Sequence, residues 1–309
     1  MNIISKTVKD LKSLKIQGAT NVRKKSLSAI VKVSMKSKAK NEDDFRKEFL
    51  KNAEKVFYAR PTEPELRTSL RVVKKNISQK GLSVNEMKKI IKNTVFDYDK
   101  NRKIAIEKMS GFGAELIKPD STILTLCHSS TVVKTLIRAK KKINHVYCCE
   151  TRPLFQGRIT ARELARAGIK VTLIVDNAAS TVLKKCDYFF SGADSFLSDG
   201  DIINKIGTNQ ISIICKKCDT KHYVVLSTHK FEPSSFFGKD GEIEQRSKKE
   251  ILDKSIKGVN ILNPAFDRTN SSLIEGIICE DGVFPPQVLA SKLYDKLKLD
   301  KFEKDFLKL

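Results

Sequence analysis

Two residues of this chain have side chains suited to moving protons, and each stands shortly after a short apolar run. Cys127 follows residues 123–126, and Asp194 follows residues 188–190 by way of small residues. A thiol at the opening of a helix is expected to have a lowered pKa, and a partly desolvated carboxyl group can act as an acid near neutral pH. The pair therefore predicts acid–base catalysis. Taken alone, the cysteine could be a small buried hydrophobe and the aspartate a helix cap.

Polar and cationic side chains stand near the ends of the same apolar runs and could bind an anion. Asn204 and Lys205 follow a glycine-rich turn shortly after Asp194, as expected of an anion-binding pair. Arginine binds phosphate through two parallel hydrogen bonds, whereas lysine acts as a point charge. The further cations that could recognise phosphate or hydroxyl groups, and that could equally be surface charges, are Arg60, Arg152, Arg158 and Lys230.

A run of three hydroxyl residues follows Cys127 at the start of a predicted helix. Ser129, Ser130 and Thr131 could hold a phosphate with their hydroxyl and backbone N–H groups. The same residue types are also ordinary helix caps. The sequence leaves both interpretations open.

These residues need a scaffold that brings distant segments together, and the pattern from about residue 121 predicts one. Short apolar strands alternate with helices, including helices over residues 132–137 and 160–167. Such strands predict a parallel sheet covered on both faces, with the carboxyl ends of its strands along one rim. The predicted strands cover residues 123–126, 146–149, 171–175, 188–190 and 223–226. Polar residues follow every one of them, so we expect a pocket along this rim.

The first part of the chain has a different rhythm. Up to about residue 115, apolar positions recur at helical spacing, with breaks at residues 17–21 and 59–64. We therefore expect two domains in an α/β fold. A helical domain covers residues 1–115, and a Rossmann-like domain with a doubly wound parallel sheet covers residues 116–309 and carries the catalytic residues.

The composition is typical of a soluble protein of the cytoplasm. The chain has 309 residues, of which 40% are hydrophobic and 31% charged. It has no apolar stretch of the roughly 20 residues needed to cross a bilayer, and it starts without the apolar core of a signal peptide. Its seven cysteines lack the spacing of a disulfide framework, which favours reduced thiols. We therefore expect no association with a membrane.

The formal net charge of +23 would attract phosphate groups. Nucleic-acid binding is one interpretation of this charge. The lysines are spread along the whole chain, however, a distribution that also suits a lysine-rich proteome or a hot habitat. A phosphorylated small substrate would benefit from the same field.

No cofactor is predicted. The glycine pattern that binds dinucleotides does not follow any predicted strand. Cys215 and Cys218 form a lone CxxC motif, whereas a zinc site normally has four ligands, so no metal is predicted either. His128 and His145 are expected to be structural.

Several longer motifs occur in the same order as in a known family. They comprise residues 125–130, 150–153, 156–158, 192–194, 203–208, 230–231, 263–267 and 285–286, with shorter matches at 17–19 and 60–62. With these motifs the chain resembles the initiation-factor-two-B alpha/beta/delta family over nearly its whole length. Its site residues are most similar to those of the archaeal members that isomerise ribose 1,5-bisphosphate.

This resemblance implies an aldose–ketose isomerase that converts ribose 1,5-bisphosphate to ribulose 1,5-bisphosphate. The family's proton acceptor falls on Cys127 and its proton donor on Asp194. The resemblance also implies a homo-oligomer, either a dimer or a hexamer. The substrate contacts that it implies are Gln17, Gly18, Ala19, Thr20, Arg60, Ser129, Ser130, Thr131, Asn204, Lys205 and Lys230.

The amino-terminal turn departs from the isomerase pattern. The isomerases resembled here have Arg-Gly-Ala-Gly, whereas this chain has Gln17 followed by Gly18, Ala19 and Thr20, so one bidentate phosphate donor is absent. The alternative function is a non-catalytic regulatory subunit that contacts a translation initiation factor. Regulatory subunits of the family are similar in fold but lack the acid–base pair. The presence of both Cys127 and Asp194 in this chain favours an isomerase.

Overall fold

The chain folds into two compact units that divide inside one long helix. The computed structural model describes residues 2–13, 15–16, 18–60, 63–238 and 243–297. The helical unit runs as far as Ile104 and the α/β unit covers Ala105–Lys296. The predicted domain boundary between residues 115 and 116 stays a prediction. None of the helices in these ranges combines the length and the apolar composition needed to cross a membrane.

The helical unit is built from helices with clear start signals. Its helices are α1 (Ile3–Lys12), α2 (Ala19–Met35), α3 (Glu42–Phe57), α4 (Pro64–Ile77) and the first part of α5 (Val84–Leu116). The side chain of Asn41 accepts the Asp44 N–H and caps α3, while Pro64 opens α4, where a missing N–H costs nothing. The apolar faces pack around buried side chains such as Phe45 and Leu70.

The α/β unit contains two sheets in its described part. Its strands are β1 (Ser121–Leu126), β2 (Ile143–Cys149), β3 (Val171–Ile174), β4 (Tyr188–Gly192), β5 (Ser195–Phe196), β6 (Ile202–Lys205), β7 (Lys221–Val225), β8 (Phe266–Thr269), β9 (Gly276–Cys279) and β10 (Gly282–Phe284). Its helices after α5 are α6 (Ser130–Arg138), α7 (Gly157–Arg166), α8 (Ala179–Val182), α9 (Thr208–Cys218) and α10 (Pro286–Leu297). The predicted α/β class is confirmed, with a helical region before a largely parallel sheet.

The order of strands in the large sheet fixes where a site can form. The order is β10-β9-β7-β4-β1-β2-β3, and within this sheet of described strands only the β9–β10 pair is antiparallel. From β1 the chain adds β2 and β3 on one side and then returns to form β4 on the other side of β1. The strand order therefore reverses between β1 and β4. In open α/β sheets, ligands bind at the carboxyl ends of the strands where the order reverses.

The five predicted strands appear as β1 to β4 and β7, and the two predicted helices appear as α6 and α7. The pattern did not predict the small antiparallel sheet β5-β6-β8, nor β9 and β10. Strand β5 has two residues, two of the four residues of β6 are polar, and three of the four residues of β8 are polar. Apolar periodicity therefore gives little signal for these strands.

A buried histidine joins three elements in the interior of the α/β unit. The ring of His222 is 1% exposed and stacks on Phe189 at 4.4 Å between centroids. One ring nitrogen is 2.8 Å from the Ser191 hydroxyl, and the other is 3.0 Å from the Ser212 hydroxyl. Burial lowers the pKa of His222 to about 3, so the ring is neutral throughout the physiological range.

This shift predicts a pH dependence of stability. The unfolded chain binds a proton on His222 below about pH 6.5, whereas the folded chain does not bind one until about pH 3. Stability is therefore lost as the pH falls from 6.5, by about 1.4 kcal/mol per pH unit once the unfolded histidine is protonated. Urea denaturation from pH 7 to pH 4 checks this, with His222→Gln as reference. The free energy of unfolding of the wild type should fall relative to that of the variant, and parallel curves would contradict the expectation.

Candidate functional site

The segment after β1 holds Cys127 in a defined and unusual backbone conformation. Its φ angle is 65°, in the left-handed region that non-glycine residues rarely adopt. The Cys127 N–H donates to the Thr151 hydroxyl at 2.8 Å, and its carbonyl accepts from the Thr160 hydroxyl at 2.8 Å. Thr151 follows β2 and Thr160 lies on α7, so two neighbouring elements fix the position of the thiol. Strained conformations held in this way are common at functional sites.

Asp194 lies two residues beyond β4 and is held by the small sheet. Its backbone N–H donates to the carbonyl of Ile203 on β6 at 2.9 Å. The side chain is half-buried. The small sheet, which the sequence pattern did not predict, therefore sets the position of this predicted acid.

Cys127 and Asp194 lie on the two sides of the reversal in strand order. β1 and β4 are paired in parallel, with Thr125 opposite Phe190. Gly192 passes close to Ser129, since a Cβ atom at Gly192 would lie 3.0 Å from the Ser129 hydroxyl. A larger residue at 192 would push these two segments apart. The structure brings the predicted acid–base pair to the carboxyl ends of two adjacent strands.

The charges around the thiol act in opposite directions. Burial raises the pKa of Cys127 to about 11, although the Lys205 ammonium and the N–H of His128 both lower it. The carboxylates of Asp194 and Asp176 raise it further. The free protein therefore holds a protonated thiol, next to a cation that favours the thiolate.

The expectation that a helix N-terminus lowers the pKa of Cys127 is wrong for this structure. Helix α6 begins at Ser130, and its cap is Ser129, whose hydroxyl accepts the N–H of Val132 at 3.4 Å. The thiol lies three residues before the helix, and the dipole effect falls off within the first turn. Burial is the largest influence and outweighs it.

The Asn204–Lys205 pair ends β6 and leads into α9. The Asn204 amide donates to the Thr208 hydroxyl at 2.9 Å, and that hydroxyl donates to the carbonyl of Lys205 at 2.6 Å. The Lys205 ammonium lies 5.1 Å from the centre of the Phe266 ring on β8. Thr208 was not among the predicted site residues, although it belongs to the motif at residues 203–208.

Lys230 reaches the same rim from the segment after β7. Its ammonium donates to the carbonyl of Ala193, the residue before Asp194. The segment is held by Glu280, which accepts the Thr228 N–H at 3.2 Å and the Ser227 hydroxyl at 3.2 Å. Glu280 is a further residue that the pattern did not reveal. Cys127, Asp194, Lys205 and Lys230 are thus the predicted site residues that the α/β unit brings together.

The remaining predicted residues of this unit have other contacts. Of the hydroxyl run, Thr131 is buried and Ser130 is exposed. Arg158 pairs with Glu150 at 2.7 Å and stacks on Phe155 at 3.8 Å from the ring centre. The Arg152 guanidinium also lies over the same ring, 5.1 Å from its centre. Both arginines are engaged around Phe155, and a contact of either with substrate stays a prediction.

The helical unit carries the other predicted contacts. Gly18 has a φ of 76° and precedes Ala19 and Thr20 at the start of α2, and the Thr20 hydroxyl accepts from Arg102 at 3.0 Å. Arg60 is buried and lies 3.5 Å from the Glu63 carboxylate. Gln17 lies outside the described residues. The roles of these residues in binding stay predictions.

The family model described as the initiation factor 2 subunit family matches residues 15–286. The chain belongs to this family. The resemblance inferred from the motifs is thereby confirmed.

Several proteins with known names or solved structures are similar to most of the chain. The ribose 1,5-bisphosphate isomerase of Methanocaldococcus jannaschii is 36% identical over 292 residues, 93% of each chain. A solved Pyrococcus horikoshii protein described as translation initiation factor eIF-2B has a TM-score of 0.79 at 26% identity, covering 93% of this chain and 98% of its own. A 5-methylthioribose 1-phosphate isomerase from the same organism has a TM-score of 0.78 at 28% identity, covering 95% and 88%.

The prediction that the protein is an enzyme of the isomerase class is confirmed, because its curated relatives in the family are named isomerases. These relatives carry three different substrate names, so the family match leaves the choice of substrate to the residues of the site.

The raised pKa of Cys127 predicts how this thiol reacts with an alkylating reagent. Only the thiolate is alkylated, so the rate should rise about tenfold per pH unit from pH 7 to about pH 10. Iodoacetamide labelling, quantified by mass spectrometry of the peptide that contains Cys127, measures this rate. The half-buried Cys218 in the same sample serves as an internal comparison. A rate that levels off near pH 8 would show a thiolate at neutral pH and contradict the expectation.

Proposed function

We propose that this protein converts ribose 1,5-bisphosphate to ribulose 1,5-bisphosphate by acid–base catalysis. The observation that carries the proposal is the convergence of Cys127, Asp194 and Lys205 at the reversal in strand order. The Methanocaldococcus jannaschii relative with this activity in its name supports the choice of substrate.

The chemistry follows from the phosphate on C1, which prevents the sugar ring from opening as a free aldose does. Asp194 in its acid form donates a proton to the ring oxygen while the bond from C1 to that oxygen breaks. The Cys127 thiolate accepts the proton from C2, and an enol forms between C1 and C2. The thiol then returns its proton to C1, and the Asp194 carboxylate recovers a proton from the C2 hydroxyl. Both residues end in their starting states and the product is a 1-phosphorylated ketose.

This sequence of steps requires one proton to be on the carboxyl group and none on the thiol. In the free protein the proton is on Cys127, because burial raises its pKa to about 11. Moving that proton to Asp194 removes the carboxylate charge that opposes thiolate formation. The Lys205 ammonium favours the same transfer. We infer that Lys205 contributes to catalysis through its charge as well as to binding.

Substrate binding is assigned to cations and to short polar segments. Lys205 and Lys230 are proposed to hold one phosphate group together with the hydroxyl run at residues 129–131. The further contacts that the resemblance implies, at residues 17–20 and at Arg60 of the helical unit, stay predictions.

Removal of either catalytic group tests the proposal. Cys127→Ser and Asp194→Asn should each lower kcat by about 10²- to 10⁴-fold with little change in KM, because general acid–base groups act mainly in the transition state. Ketose formation from ribose 1,5-bisphosphate is measured directly. Cys218→Ser, which changes a half-buried thiol at the end of α9, is the matched control and should keep wild-type kcat. Absence of ketose product with the wild type, or wild-type kcat in Cys127→Ser, would overturn the proposal.

A second candidate function is a non-catalytic subunit that contacts a translation initiation factor, which is favoured by the structural similarity to the Pyrococcus horikoshii protein. Thermal shift distinguishes the two. Under the isomerase proposal, ribose 1,5-bisphosphate and ribulose 1,5-bisphosphate raise the Tm of the wild type and Lys230→Ala loses most of this shift. A regulatory subunit would give no sugar-bisphosphate shift, and its complex with the initiation factor would persist in Cys127→Ala and Asp194→Ala.

We also propose that the protein works as a homo-oligomer, a dimer or a hexamer, as the resemblance implied. Size-exclusion chromatography with light scattering measures the mass directly against the 34.8 kDa of one chain. A monomer at assay concentrations would contradict this part of the proposal.

A further inference from the structure

The carboxylate of Asp267 on β8 lies beside the Asn204–Lys205 pair. Asp267 ends the motif at residues 263–267, but the resemblance gave it no role in the reaction. Asp267 stands opposite Asn204 in the antiparallel pairing of β6 with β8. One of its oxygens accepts the N–H of Gly207 at 2.7 Å and the N–H of Asn209 at 3.2 Å. These N–H groups belong to the turn and first residues of α9 that directly follow Lys205. Asp267 therefore holds the backbone immediately after the predicted anion-binding pair.

The turn that Asp267 holds needs such support. Gly207 has a φ of 101°, a conformation that glycine adopts easily but does not enforce. The Ile206 N–H donates to the carbonyl of Ala265 at 3.1 Å, and the Leu126 side chain lies near Gly207, where it would be 3.8 Å from a Cβ atom. Leu126 is the residue before Cys127, so the position of this turn is tied to the segment that carries the thiol.

Thr208 holds the same segment from the other side. Its hydroxyl donates to the Lys205 carbonyl and accepts from the Asn204 amide. Together, Asp267 and Thr208 provide four hydrogen bonds to residues 204–209. The Lys205 backbone is thereby fixed on both sides of the turn.

Asp267 does this at a cost to stability. Its second oxygen is buried and has no hydrogen-bond partner among the described residues. Burial raises the pKa of Asp267 to about 6 in spite of three backbone N–H donors. A buried acceptor without a partner is unfavourable, and such groups are common where function requires them. Asp267 therefore combines two favourable hydrogen bonds to the start of α9 with one buried oxygen that has no partner among the described residues.

We propose that Asp267 and Thr208 are positioning residues that hold the Lys205 ammonium next to the Cys127 thiol. Asp267 touches neither the thiol nor the predicted acid and acts through the backbone of residues 205–209. Displacement of the Lys205 ammonium would remove the main positive charge that favours the Cys127 thiolate. The proposal rests on the proposed function only where it concerns binding of a phosphorylated substrate.

The reactivity of Cys127 tests this without any substrate. At pH 8.5 the rate of alkylation by iodoacetamide, a neutral reagent, is proportional to the thiolate fraction. Asp267→Ala and Thr208→Val should each slow the labelling of Cys127 about fivefold, in the same direction as Lys205→Met, because the Lys205 charge moves away. Asp267→Asn keeps an oxygen that can accept the Gly207 N–H, so its rate should stay within about twofold of the wild type.

Steady-state kinetics provide a second test of the positioning role of Asp267. Asp267→Ala should raise KM for ribose 1,5-bisphosphate about tenfold, since a displaced cation weakens binding of phosphate, and Asp267→Asn should restore much of the loss. Asp187→Asn is the matched control, because Asp187 also accepts a backbone N–H, that of Thr122 at 2.8 Å, but precedes β4 at the other end of the strand. It should behave as wild type in both assays.

The outcomes separate the two proposals. A wild-type labelling rate in a folded Asp267→Ala protein overturns the positioning role, whatever the activity. If Asp267→Ala does not fold, a wild-type labelling rate in Thr208→Val overturns it instead. If the wild type makes no ketose but Asp267→Ala and Lys205→Met both slow the labelling of Cys127, the proposed function fails and the positioning role stands.

Discussion

The parallel pairing of β1 with β4 is the constraint on which the rest of the site depends. Leu124, Phe189 and Phe190 are fully buried, so the hydrophobic effect fixes which residues of the two strands lie side by side. With that register set, Cys127 and Asp194 must emerge at neighbouring strand ends. β2 and β3, which come between β1 and β4 in the chain, lie on the side of β1 away from β4. The segments that follow β1 and β4 therefore lead in opposite directions from this point of the sheet. The packing of apolar residues therefore places a thiol and a carboxyl group at neighbouring strand ends.

The chemistry at these strand ends depends on a balance between the burial of the thiol and the charges around it. Burial alone would keep the Cys127 thiol protonated, and the Asp194 carboxylate adds to that effect. The Lys205 ammonium opposes both of these effects on the thiol, and its influence depends on its distance from the Cys127 sulfur. The small sheet β5-β6-β8 sets the position of this charge, since β6 carries Lys205 and also binds the backbone of Asp194. The small sheet β5-β6-β8 thus contributes to the site chiefly by positioning Lys205 and Asp194.

The predictable part of the fold was the part whose signal is local. Strands β1 to β4 and β7 are short apolar runs between helices, and their residues indicate their structure directly. Strands β6 and β8 carry Asn204, Lys205 and Asp267, and their pairing joins segments about 60 residues apart, so no local pattern reveals it. The prediction of a lowered pKa for Cys127 was wrong for the same reason. Its sequence neighbours suggest the influence of a helix dipole, whereas most of the charged groups around the thiol come from elsewhere in the chain.

The helical first part, the parallel sheet, the family and the acid–base candidates can all be recognised in the amino-acid sequence. They follow from periodicity and from motifs that are contiguous in the chain. The way in which Lys205 and Lys230 approach those candidates, and the residues that hold them there, are visible only in the folded structure. Thr151, Asp267 and Glu280 act through hydrogen bonds to backbone groups far away in sequence. Such contacts leave no periodic trace, because a hydrogen bond depends on where the folded chain places its donor and acceptor.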